Sequence, residues 1–192
     1  HDYQFTHAKR RMRQLVQSGY LGSEPKHLES YHNYELGSET YAKAVLGDRH
    51  HWVRRLPGQL LQNNISHGIA GLAEFLTDDD PHVVAVGFTS PLLRRMGETD
   101  ITDELRVIIT EGDRRAAYFT FSSQMRPVLH GLAVYGDRNG IVVDHDQQTC
   151  VRIPGERRKS FLEKFLSPAQ LGVEYLREAA RNVRAFQRRD FH

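Results

Sequence analysis

Between Glu104 and Ile153, five short segments rich in β-branched and aromatic residues are separated by turn signals, and this run limits the possible folds most sharply. The segments are Glu104 to Thr110, Arg115 to Ser122, Val128 to Tyr135, Ile141 to Asp144 and Thr149 to Ile153. Glu-Gly-Asp, Gly-Asp-Arg-Asn-Gly and Asp-Gln-Gln punctuate them. Branched and aromatic side chains suit a pleated surface, and connections this short join antiparallel neighbours. Several of the strands are apolar on both faces: Leu105, Val107 and Ile109 alternate with Ile108, and Phe119 and Phe121 alternate with Ala116, Tyr118 and Thr120. A sheet with one wet face should alternate more cleanly. Helices are therefore expected on one face and a second copy of the chain on the other, giving a homo-oligomer built through the open sheet face.

The rest of the chain reads mainly as helix. Phe5, Ala8, Met12, Leu15 and Val16 recur at spacings of three and four, basic residues take the other side, and Gly19 stands where a helix stops. Gly22 and Pro25 mark a turn, His27 to Leu36 reads as a strand, and a short helix fits Thr40 to Leu46. Gly58 to Leu76 is a helix-length segment whose apolar stripe is Ile65, Ile69, Leu72 and Leu76, with Asn63 and His67 on the opposite side. A strand follows at His82 to Ser90. Two closing helices are expected, Ser160 to Leu166 and Pro168 to Gln187, with Pro168 in a first helical turn. Strands bracketed by helices, without strict β-α-β alternation, define an α+β class: an open, mainly antiparallel sheet with helices on one face, in a single domain over residues 1–192.

Composition narrows the partners. Of 192 residues 39% are hydrophobic and 26% charged, ordinary for a soluble domain with a core, and the formal charge is only +2. Nucleic-acid binding would need a concentrated patch. Arg177, Arg181, Arg184 and Arg188 are its best candidate, and such a row is more often the solvated side of an amphipathic helix. No nucleic-acid partner is expected. Cys150 stands alone, which fits a reducing compartment and a space-filling role in a strand. No apolar run approaches the roughly 20 residues that span a bilayer, and His1 to Gln14 has no apolar signal-peptide core. The expectation is a cytoplasmic protein with no membrane partner. A sequence opening on His1 is expected to be a fragment of something longer.

No strand, G-x-G-x-x-G and helix succession is present to cradle a dinucleotide, nor a P-loop, a G-x-S-x-G elbow or paired Cys-x-x-Cys ligands. Among the eleven histidines, His50, His51, His67 and His130 invite a metal, but none lies at a recognised ligand spacing to another metal-binding side chain. No metal is expected. His67 with Asn63 remains the best catalytic pair. An imidazole titrates near neutrality and can take the proton of a substrate hydroxyl as the carbon is oxidised, while the Asn63 amide holds that hydroxyl or orients the ring. Trp52 and Arg54 or Arg55, just before this helix, suit stacking and hydrogen bonding to a sugar. Arg126 at a strand boundary suits a carboxylate or phosphate. Tyr31 and Tyr34 fall on opposite faces of their strand, so at most one faces a pocket.

Gly58-Gln59-Leu60-Leu61-Gln62-Asn63-Asn64-Ile65-Ser66-His67 resembles the helix-opening motif of the glucose-fructose oxidoreductase / inositol dehydrogenase (Gfo/Idh/MocA) family, in which glycines and apolar residues lead into an Asp-x-x-x-His helix. Ala8 to Gly22 with the strand at Lys26 to Tyr34 is similar to the helix, turn and first strand of that family's substrate domain. Leu132 to Val143 (LAVYGDRNGIVV) resembles its Tyr-Gly hairpin. The resemblance extends to about residue 155. It implies the substrate-binding and oligomerisation domain of an NAD(P)-dependent oxidoreductase acting on a sugar, polyol or related hydroxy compound, following a Rossmann domain that binds most of the cofactor. Two departures are evident. Asn63 replaces an Asp and cannot ionise, so it acts on the histidine by hydrogen bonding only. The Rossmann fingerprint and the family's Glu-Lys-Pro segment are absent, since Glu163-Lys164-Phe165 lies far downstream without the proline. The implied roles are His67 in catalysis and Asn63, Trp52, Arg54 and Arg126 at the substrate, in a chain inactive without its other half. A second class stays open: a non-catalytic ligand-binding or dimerisation module with the same fold.

Overall fold

Thr6 turns the chain into its first helix. Its Oγ1 accepts the Lys9 amide at 3.3 Å, and α1 (His7–Gln17) then runs on until Gly19, whose φ of +76° only glycine adopts freely. The computed structural model describes residues 2–48, 50–155 and 159–188, the side chains of residues 2, 63 and 160 excepted. After α1 come β1 (His27–Asn33), α2 (Glu39–Leu46), a 3-10 turn (Trp52–Arg55), α3 (Gln59–Ala73), β2 (His82–Phe88) and α4 (Pro91–Arg95). The strands β3 (Glu104–Glu111), β4 (Arg115–Ser122), β5 (His130–Tyr135), β6 (Asn139–Asp144) and β7 (Thr149–Pro154) follow, and α5 (Ser160–Gln187) closes the described chain. Every strand expected from the sequence is present, and the fold is α+β.

Two compact units share the chain, one of residues 29–130 and one of residues 1–28 with 131–192. In the unit of residues 29–130 the strand order is β2-β3-β4-β1. β2, β3 and β4 are antiparallel, with Ala85 opposite Val107 and Val107 opposite Phe119. Leu105, Val107, Ile109, Ala117, Phe119 and Phe121 point to one face and are buried, with α3 packed over β4. The other face is open: Val84, Ile108 and Tyr118 lie in register across three strands and each keeps 40% or more of its surface exposed. β2 is exposed along its whole length as the outer strand.

In the unit of residues 1–28 and 131–192, β5, β6 and β7 form an antiparallel set, and α1 and α5 pack against it. Ala8, Met12, Leu132, Val134, Ile141, Val143, Cys150 and Val151 make its core. Cys150 fills space in β7 as expected, and burial pushes its thiol up to about 12, which keeps it unreactive. The helical pattern read from the sequence fails at two positions: Lys9 on α1 is buried, and Phe5, which lies in a 3-10 turn ahead of the helix, is exposed.

The closing segment corrects the sequence reading: in place of two helices, α5 is one helix of 28 residues with Pro168 in its interior. A proline removes one backbone donor and disturbs the carbonyl four residues back, here that of Lys164. Residues 164–168 are exposed, so the freed carbonyl is open to solvent and the helix continues. The arginine row on α5 is likewise only partly solvated. Glu174 and Glu178 are buried: Arg152 grips Glu174 through two hydrogen bonds of 2.6 and 2.9 Å, Arg177 adds a third at 2.7 Å, and Arg181 pairs with Glu178. Glu178 also accepts the Cys150 amide at 3.1 Å. α5 is thus fastened to β7 through carboxylates.

Hydrogen bonding from Arg152, then from Arg177, holds the Glu174 carboxyl at about 2, below its ordinary 4.5. A carboxyl lowered by folding contributes stability above its unfolded value and loses it as pH falls toward the folded one. Glu174→Gln should therefore destabilise the chain at pH 7 by at most about 3 kcal/mol, and flatten the stability loss between pH 4.5 and 2. Urea unfolding at stepped pH measures both effects. An acid limb identical to that of the parent chain would rule Glu174 out.

Candidate active site

α3 packs on a face that hydrophobic periodicity does not reveal. Its buried line is Leu60, Asn64, Gly68 and Leu72, with Gly71 and Phe75 beside it, while Ile65, Ile69 and Leu76 are only half-buried. The expected stripe of Ile65, Ile69, Leu72 and Leu76 is corrected accordingly. A glycine and an amide carry no hydrophobic signal, yet small residues are what a helix needs to approach a sheet closely. A Cβ at Gly68 would collide with Phe119 Cε2 and lie 3.0 Å from His32 Cβ. Asn64 is satisfied within the helix, its Nδ2 donating to the Leu60 carbonyl at 3.0 Å. His67 therefore stands beside the packed face of α3, not opposite to it.

That position brings His67 against two further histidines. The His32 ring stacks on His67 with centroids 5.7 Å apart and planes 19° from parallel, and His130 lies 4.6 Å from His32 on a tilted plane. Phe121 closes the group at 6.5 Å from His32. β1 explains the arrangement: Leu28, Ser30 and His32 alternate inward, so His32 is buried while Tyr31 points to the other face. Ser30 Oγ donates to the Gly68 carbonyl at 3.2 Å and joins strand to helix. His130 Nε2 lies 2.7 Å from the Asn33 carbonyl. A carbonyl only accepts, so Nε2 carries a proton and the tautomer of neutral His130 is fixed. Among the described residues no group of three or more histidines, cysteines or acids is placed to hold a metal ion.

Buried carboxylates hold the surroundings in place. Asp103 accepts the Ser90 amide at 2.6 Å and the Ser123 hydroxyl at 2.5 Å, and Glu104 accepts the Ser122 hydroxyl at 2.8 Å and the Ser123 amide at 3.1 Å. Ser122 Oγ in turn accepts the Gln124 and Met125 amides, and the Met125 carbonyl accepts Asn33 Nδ2 at 3.4 Å. The chain after β4 is thereby tied to the end of β1, next to His130.

The other residues singled out from the sequence stand elsewhere in this unit. Asn63 is on α3, but its side chain lies outside the described residues. Trp52 is 55% exposed beside His51, a flat apolar ring open to a ligand. Arg54 spends its donors on the Leu46 carbonyl, at 3.0 and 2.6 Å, and on Glu98. Arg126 donates to Glu35 at 2.9 Å and to the Met125 carbonyl at 2.8 Å, and stays part-exposed. Tyr34 lies beside Tyr41; burial first, and then that second phenol, raise its pKa and keep it a neutral donor. His50 is exposed, and His51 Nδ1 accepts the Val53 amide at 3.4 Å at the start of the 3-10 turn. His32 was legible had the strand register been followed, since it shares the parity of Leu28 and Ser30.

The fold is similar to that of solved NAD-binding oxidoreductases, and the resemblance seen in the sequence stands at the level of fold. An NAD-binding oxidoreductase from Klebsiella pneumoniae matches with a TM-score of 0.58 at 14% identity, over 82% of this chain and 43% of its own. An inositol dehydrogenase homologue from Azotobacter vinelandii, complexed with NAD+, gives 0.60 at 13%, over 81% and 40%. Levoglucosan dehydrogenase in complex with NADH and L-sorbose gives 0.56 at 14%, over 82% and 42%. The chain spans less than half the length of each. No protein-family model matches the sequence, and no curated protein does. Among the described residues no helix is long and apolar enough to cross a membrane.

Gly68→Ala tests the close approach on which the histidine group rests. Helix propensity alone favours alanine by about 1 kcal/mol, whereas overpacking costs roughly 1–3 kcal/mol. Because Phe119 and the His32 Cβ are both held in the buried face, net destabilisation is expected in urea unfolding. A stabilised variant would show that α3 sits further from the sheet.

Proposed function

We propose that this chain is the substrate-binding and oligomerisation domain of an NAD(P)-dependent oxidoreductase acting on a sugar, polyol or related hydroxy compound, with His67 as the catalytic residue. The observation that carries the reading is His67 held half-buried on α3 against His32, within a fold shared with NAD-binding oxidoreductases. A carbinol carbon that loses hydride to a nicotinamide leaves its oxygen to shed a proton, and His67 takes it. His32 stacks on that imidazole and limits its rotation, and Asn63 holds the hydroxyl or the ring by hydrogen bonding. Trp52 offers a stacking surface for the sugar and Arg126 stands at the substrate's polar groups, while Arg54, whose donors go to the Leu46 carbonyl and Glu98, reaches a substrate oxygen only by giving up Glu98. The sequence holds no glycine-rich dinucleotide loop, so no residue here is assigned to the cofactor, and NAD or NADP is held mainly by a Rossmann domain outside these 192 residues. The chain alone is accordingly inactive, and it works in the cytoplasm. Levoglucosan dehydrogenase with NADH and L-sorbose supports the sugar class by analogy of fold.

In the full-length protein His67→Ala should lower kcat by about 10²-fold or more and leave dinucleotide affinity within about twofold. Steady-state kinetics over candidate sugars, with calorimetric titration of the dinucleotide, separates the two. Unchanged kcat removes His67 from the mechanism.

The open face supports the oligomerisation part. Val84, Ile108 and Tyr118 form an apolar row across three strands, with Val86 beside it, and sheet faces of this kind are covered in stable proteins. Ile108→Glu should convert a homo-oligomer to monomer in sedimentation velocity, with little loss of fold by circular dichroism. An unaltered sedimentation coefficient would place the interface elsewhere.

A further inference from the structure

The arginine row of α5 does not face empty solvent along its whole length. His7, Arg10 and Arg11 of α1 stand opposite Arg181, Arg184 and Arg188 of α5, and the two helices enclose a cleft of about 520 Å³. Residues about 170 positions apart in sequence thus bring five guanidiniums to one concavity. Arg11 and Arg181 share a single buried counter-charge, Glu178, at 3.7 Å in the case of Arg11. Arg10, Arg184 and Arg188 pair with no carboxylate among the described residues. Arg11 is held by Glu178 and lies against the buried Cys150, so its guanidinium is fixed at the wall of the cleft. Converging like charges repel, and four positive charges remain uncompensated around a volume typical of a small-ligand site.

We propose that the cleft between α1 and α5 binds a small anion carrying two or more phosphate groups. Guanidinium forks match phosphate oxygens two at a time, and several phosphates are needed to balance the charge that one monoanion would leave. The concave shape favours a compact ligand over an extended strand, which would follow an open groove. The site lies in the unit of residues 1–28 and 131–192, whereas the His67 group lies in the other unit.

Calorimetric titration of the 192-residue chain with sodium tripolyphosphate, against sodium chloride of equal ionic strength, tests this. Saturable one-to-one binding is expected, and the double change Arg10→Ala with Arg184→Ala should weaken it tenfold or more. Both side chains are exposed and unpaired, so the fold should survive. Arg94→Ala with Arg95→Ala, an equal loss of charge on α4, should stay within twofold of the parent chain. No saturable heat, or equal weakening by both pairs, overturns the proposal. So would tighter binding of a single-stranded oligonucleotide than of tripolyphosphate, which would make the arginines part of a nucleic-acid track.

Discussion

The missing side chain at Gly68 sets the geometry of the residues 29–130 unit. A glycine inside a helix sacrifices about 1 kcal/mol of propensity, so its presence midway along α3 asks for a compensating contact. That contact is the seating of α3 against Phe119 and the His32 backbone side, reinforced by Ser30 reaching the Gly68 carbonyl. Any larger residue lifts the helix, and lifting it separates His67 from His32 by the same displacement. The stacking distance of 5.7 Å therefore follows from packing, without any attraction between the rings needing to be strong.

Both units use buried carboxylates as joints. Asp103, Glu104 and Glu111 in one unit, and Glu174 and Glu178 in the other, are each almost wholly removed from solvent and each accept at least two hydrogen bonds. Glu111 shows the pattern: it takes the Thr77 and Asp78 amides, where the chain leaves α3, and the Arg115 guanidinium across its own hairpin. An unpaired buried charge is costly, so each joint holds only while all its donors stay in place. The outcome is specificity of position. The loop after β4 cannot drift from β1, and His130 keeps its carbonyl partner.

Strand positions were legible because branched and aromatic residues alternate between punctuating turns, and β4 matches its expected limits of Arg115 and Ser122. The helix bearing His67 was equally legible as a helix. Its orientation was not, because periodicity weighs side chains, and the face that packs here is built on Gly68, Gly71 and Asn64. α5 misled for the converse reason: Pro168 reads as a boundary, whereas an exposed turn tolerates it. The same helix turns carboxylates inward while Phe165, Leu176, Val183 and Phe186 stay exposed, an inversion that only the arginines of α1, β7 and α5 itself make affordable. His67 could be nominated from the sequence; its neighbours His32 and His130 required strand register and a loop path.

What this chain supplies and what it lacks divide along chemical lines. Proton transfer asks for an imidazole at a defined position, and α3 with β1 provides one. Dinucleotide binding asks for backbone amides presented by a glycine-rich turn at a helix N-terminus, and the sequence has no such turn. The arginine cleft does not substitute for it. Guanidiniums on flexible stems bind phosphate oxygens without fixing a nicotinamide against a carbon, since they constrain charge and not the orientation of a ring several bonds away. The proposed ligands of the cleft and of the histidine group therefore differ in chemistry, polyphosphate for the one and a neutral hydroxy compound for the other.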